Sequence, residues 1–94
     1  MEKNFEWDEN KAKENIRNHQ ISFEEAATIF KDPFSITIFD PDHSIGEDRY
    51  VDIGCSSTGR VLIVVYTERG QNIRIISCRK TEPNERRKYE EGDF

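Results

Sequence analysis

The chain has 94 residues, 34% of them hydrophobic and 35% charged, with a formal net charge of -5. That length makes one domain, 1–94, able to bury little more than a single sheet and its helices. No run approaches the ~20 apolar residues that span a bilayer, and the amino terminus lacks an apolar signal-peptide core. The expectation is a cytoplasmic protein with no membrane partner.

Lys3 to Trp7 reads as a short first strand, with Phe5 and Trp7 alternating against polar neighbours. Asp8 offers an N-cap to a helix over Glu9 to Asn18, whose buried stripe is Ala12 and Ile16. Ser22-Phe23-Glu24-Glu25 has the hydroxyl-to-carboxylate spacing of a capping box. Behind it Phe23, Ala26, Ala27 and Phe30 line one side of a second helix. Asp32-Pro33 stops that helix, because proline disfavours α geometry in the residue before it.

Four strands follow. Phe34 to Phe39 alternates through Phe34, Ile36 and Ile38, and Asp40-Pro41-Asp42-His43-Ser44 is a turn. Arg49 to Cys55 alternates again, and Ser57-Thr58-Gly59 has hairpin composition. Val61 to Tyr66 is apolar throughout, like a central strand covered on both faces. Glu68-Arg69-Gly70-Gln71 turns the chain into a last strand, Ile73 to Lys80. Pro83 opens a closing helix, where its missing N–H costs nothing, and the tail Glu90 to Phe94 is expected to fray.

The fold class is therefore α+β. Hairpin-length links imply a small antiparallel sheet, with the two N-terminal helices on one face and the C-terminal helix near an edge. Cys55 and Cys78, with neither CxxC spacing nor histidine clusters, read as reduced, buried, small hydrophobes. One histidine and two carboxylates in Asp40-Pro41-Asp42-His43 fall short of a zinc motif, so no metal is expected there. No dinucleotide or phosphate-loop motif occurs, and no cofactor is expected.

Charge is unevenly placed. Residues 1–47 hold five Lys or Arg against eleven Asp or Glu, and residues 48–94 hold nine against eight. Residues 60–88 alone hold eight cations and three anions. A bound phosphate experiences that local field rather than the total charge.

The residues also carry a resemblance. Phe5-Glu6-Trp7-Asp8 precedes Lys11, Asn15 and His19, then Ser22-Phe23-Glu24-Glu25-Ala26 and Asp32-Pro33. Glu47-Asp48-Arg49-Tyr50, Ile53-Gly54 and Gly59-Arg60 follow. Tyr66-Thr67-Glu68-Arg69-Gly70 leads into Ile73 to Lys80, and Glu85-Arg86-Arg87-Lys88-Tyr89-Glu90 completes it. In this order they resemble the BrnT toxins of bacterial type II toxin–antitoxin pairs. The chain departs from the family pattern at Gln20, where Gly is usual, and at Cys78, where Ala is usual.

The resemblance implies a RelE-like fold and a ribonuclease that inhibits translation. It also implies a BrnA-type antitoxin as partner, with operator DNA reached only through that antitoxin. Metal-free RNA cleavage needs a base for the 2′-hydroxyl, an acid for the 5′-oxygen, and cations for the phosphorane. Arg79 is the first candidate for the phosphate, because its planar fork engages two oxygens together; the rival reading of Arg79 is an ion pair with Glu85 or another surface carboxylate. Arg69 and Arg49 are its expected catalytic helpers, and Glu68 is a candidate base. Lys80, Arg74, Arg86 and Tyr89 are candidate RNA contacts, Tyr89 by stacking. Neighbouring strand residues face opposite ways, so Arg79 and Lys80 meet only at a strand-end rim. His19, closing the first helix, suits a capping role or a catalytic one. The competing reading is a non-catalytic module that binds RNA or the antitoxin through the same cations and acts in operon autoregulation.

Overall fold

The computed structural model describes residues 4–39 and 48–92. The expected turn and dismissed metal motif at Asp40 to Ser44 lie outside these. The elements are β1 (Asn4–Glu6), α1 (Glu9–His19), α2 (Phe23–Ala27), a 3-10 turn (Thr28–Lys31), β2 (Ile36–Phe39), β3 (Arg49–Cys55), β4 (Val61–Arg69), β5 (Asn72–Lys80) and α3 (Pro83–Glu91). The five strands form one sheet in the order β1-β5-β4-β3-β2.

The sheet is mixed, not wholly antiparallel. Strands β2 to β5 make the expected hairpin meander, but β1 lies parallel to β5, with Phe5 opposite Ile73. The meander leaves the outer side of β5 unpaired. There β1 supplies the missing partner, while Phe5 and Trp7 pack on the core.

α1 and α2 cover one face, over Leu62, Val64, Tyr66, Ile73, Ile75 and Cys78. Phe23, Ile21 and Ile29 are fully enclosed there. The closing helix does not sit at an edge. α3 lies across the opposite face, and its Tyr89 packs on Ile36, Ile53, Val61 and Ile63. Alternation along β4 requires this: Leu62 and Val64 point to one side, Val61 and Ile63 to the other, and both sets need cover.

Several local expectations change. Asp8 caps α1, its carboxylate accepting from the Asn10 amide at 2.8 Å. The second buried residue of α1 is Asn15, whereas Ile16 is 49% exposed. Asn15 donates to the Ile21 carbonyl at 2.9 Å and accepts from the Cys78 amide at 3.0 Å. It thus bonds both the α1–α2 turn and β5. At Gln20 the chain takes φ 60°, the left-handed geometry that favours glycine. Phe34 lies outside β2, in the turn, and is 75% exposed. The tail folds further than expected: α3 continues through Glu91 and ends on Gly92 at φ 65°.

The capping box at Ser22 is half made. Its hydroxyl accepts from the Glu25 amide at 3.0 Å. The Glu25 carboxylate instead reaches the β3–β4 turn, where Ser56 and Thr58 hydroxyls donate to it at 2.7 Å and Arg60 forms an ion pair. That guanidinium, with the hydroxyls and against the opposing effect of burial, lowers Glu25 to about 2. Cys55 and Cys78 are both free thiols. Cys78 is buried, which raises its thiol to about 12.

Candidate functional site

Strand register decides which cations share a face. Arg79 lies opposite Ile63, and both Arg49 and Arg74 lie opposite Thr67. Arg69 lies opposite Asn72, one pleat beyond Arg74. Alternation from the α1–α2 core puts Arg49, Arg69, Arg74 and Arg79 all on the α3 side. They do not converge on one rim. Arg79 is four to six residue steps along β4 from the others, roughly 13–20 Å at about 3.3 Å per step. The α3 side therefore carries two cationic stations, one at each end.

The Arg79 station has a hollow of about 280 Å³. Ile38, Val51, Ile53 and Ile63 form its floor, and Arg79, Glu85 and Lys88 its wall. Arg79 is half-exposed and firmly held. Nη1 and Nη2 donate to the two Glu85 oxygens at 2.9 and 2.8 Å, and Nη1 also donates to the Lys80 carbonyl at 3.1 Å. A guanidinium has five N–H groups. Three are engaged among the described residues, which leaves Nε–H and one Nη2–H for another anion. The Arg79 guanidinium holds Glu85 below the ordinary carboxylate range, against the opposing effect of burial. Glu85 also accepts the Glu82 amide at 2.8 Å, so the first turn of α3 fixes its position.

At the other station Arg74 pairs with Glu6 of β1 at 3.2 Å. Glu68 lies opposite the buried Ile73, on the helix side of the sheet and about 17 Å along the strand from Arg79. That placement separates it from the Arg79 hollow on the α3 side. Lys80 lies opposite Leu62, also on the helix side by register, but at the strand end it lines a second hollow with Arg79.

Arg86 is exposed on α3 and pairs with Glu90 at 3.1 Å. Tyr89 is not presented for stacking: its ring packs on the α3-side core and its hydroxyl donates to Asp32 at 2.6 Å. Asp32, read from sequence only as a helix stop, also accepts the Cys55 and Phe34 amides. Burial opposes its ionisation, but these three donors lower it. Among the described residues no group of three or more His, Cys, Asp or Glu is placed to hold a metal ion. Among the described residues no helix is long and apolar enough to cross a membrane.

A family model described as the ribonuclease toxin BrnT of type II toxin–antitoxin systems matches residues 7–85. The chain belongs to the BrnT family. Its matched span takes in both helices on the core side, all of β2 to β5, and the Arg79–Glu85 pair. The fold is similar to the crystal structure of the Brucella abortus ribonuclease toxin BrnT, at a TM-score of 0.63 and 20% identity. That match covers 86% of this chain and 99% of the Brucella chain. No curated protein matches the sequence. Membership of a type II toxin family implies an antitoxin partner.

Sequence reasoning named Glu85 only as a rival partner that would make Arg79 an ordinary surface pair, not as the residue that orients it, and it missed Asp32 as the anchor of α3. A bidentate partner six residues along the chain has no periodic signal, since the turn at Thr81-Glu82 brings the two together.

Proposed function

We propose that this BrnT-family chain is a metal-independent endoribonuclease whose activity inhibits translation, with Arg79 holding the scissile phosphate. One observation carries the reading: Arg79 is anchored by Glu85 beside an open hollow and still has an unused pair of donors. Fixed donors stabilise a developing phosphorane charge without reorganising at the moment of reaction. Glu85 acts here as a positioning residue, aligning one fork of the guanidinium so that the other faces the phosphate. Lys88 and Lys80 add positive potential nearby. Arg49, Arg69 and Arg74, at the far station, hold the RNA backbone further along the strand rather than the reacting group.

The inhibitor in this reading is a BrnA-type antitoxin that shields the α3 side, and operator DNA is contacted by that antitoxin. Purified protein should cut RNA in excess EDTA, and Arg79→Ala should abolish both cutting and growth arrest while keeping its fold by circular dichroism. RNA binding without cutting would favour a non-catalytic module, and activity that depends on added divalent cation would overturn the metal-free step.

A further inference from the structure

Arg79 borders two hollows, and the second contains groups able to move protons. It measures about 380 Å³ and is walled by Asn18, His19, Gln20, Arg79, Lys80 and Glu82, within the ~300–1,000 Å³ range of ligand pockets. We infer that His19 and Glu82 are the acid and base of RNA cleavage, working across this hollow on a phosphodiester gripped by Arg79 and Lys80. The inference rests on the ribonuclease reading above and supplies the proton transfers that it leaves open.

His19 is the last residue of α1, where the helix's carbonyl end attracts a cation. The left-handed turn at Gln20 then takes the backbone away, so the imidazole stays exposed at the helix end. No hydrogen bond among the described residues commits its ring. Imidazole is also a side chain that can give or take a proton at a reacting oxygen. The charged residues that wall the hollow with it are Arg79 and Lys80 from β5 and Glu82 from the start of α3, and Arg17 shares the last turn of its own helix. Glu82 is the one carboxylate among the residues that wall the hollow.

The step balances with these groups alone. The 2′-oxygen attacks phosphorus while its proton passes to the Glu82 carboxylate. The bond from phosphorus to the 5′-oxygen breaks as the His19 imidazolium gives that oxygen a proton. The products are a 2′,3′-cyclic phosphate and a 5′-hydroxyl, and solvent returns the proton from Glu82 to His19.

The test compares the full chain with His19→Gln and Glu82→Gln on an RNA oligonucleotide and on the same oligonucleotide with a 5′-bridging sulfur at the cleaved link. Sulfur leaves without needing a proton. His19→Gln should lose about 10²–10⁴ in kcat on ordinary RNA, with KM unchanged, and should recover most of that loss on the sulfur substrate. Glu82→Gln should lose activity on both substrates. Equal loss by His19→Gln on both, or no loss on either, overturns His19 as the acid even though the ribonuclease reading stands. Failure of the unmodified chain to cut either substrate overturns that reading and this inference with it.

Discussion

On the α1–α2 side of the sheet, Phe23, Ile21, Ile29, Leu62, Val64 and Ile75 are almost wholly enclosed. On the α3 side, among the described residues, only Ile36, Ile53, Val61 and Ile63 form a buried cluster, and α3 itself contains no buried residue. One face is sealed by apolar packing. The other is partly covered by a helix that packs through Tyr89 and is held by the Tyr89–Asp32 and Arg79–Glu85 bonds. Four arginines project from that less covered face. Stability is concentrated on the first side, and the second stays less covered.

The largest break of this contrast is Phe23→Ala. It should cost about 3–5 kcal/mol, read as a shift of the denaturation midpoint, because the emptied space lies within a closed core. Glu25→Gln comes next, at about 1.5–3 kcal/mol, since it frees α2 from the β3–β4 turn. The pH dependence has a definite sign. Glu25 is lowered in the fold, so its contribution is complete above its ordinary value of 4.5 and is lost as pH falls towards about 2. Urea titrations between pH 6 and 2.5 should show the native chain losing stability that Glu25→Gln has already lost.

Tyr89→Phe removes the hydroxyl bond to Asp32 and should cost about 1 kcal/mol. Hydrogen exchange should then speed up in α3 while β4 and β5 keep their protection. A uniform loss of protection would mean that α3 is integral to the core. Gln20→Gly is the smallest change, with an expected gain of about 0.5 kcal/mol, because glycine takes φ 60° without the Cβ conflict. A loss would show that the Gln20 side chain contributes more than its backbone geometry costs.

The elements were legible in the sequence where period and caps agree. Asp8, Ser22 and Pro83 mark three helix starts, alternation marks β2 and β3, and a continuous apolar run marks β4. The uninterrupted apolar run Val61–Tyr66 even carries the requirement for cover on both faces, which α3 meets. The direction of β1 was not legible, because a three-residue strand acquires direction only from partners 68 residues away. Glu25 was misread for a related reason: its local bonding option, the capping box, lost to three partners in a distant turn. The cations were legible as a group, but their division into two stations follows from strand register, which sequence spacing alone does not set. Arg74 and Arg79 are an odd number of residues apart, so unbroken alternation along β5 would put them on opposite faces; the extra residue at the Val65/Tyr66 register shift returns both to the α3 side.

The central claim is that the two stations do different work, and steady-state cleavage kinetics of Arg79→Ala beside Arg74→Ala test it most directly. The account predicts a fall in kcat of about 10²–10³ for Arg79→Ala, and for Arg74→Ala a raised KM with kcat nearly unchanged. Equal losses of kcat in both variants, or a larger one in Arg74→Ala, would contradict it.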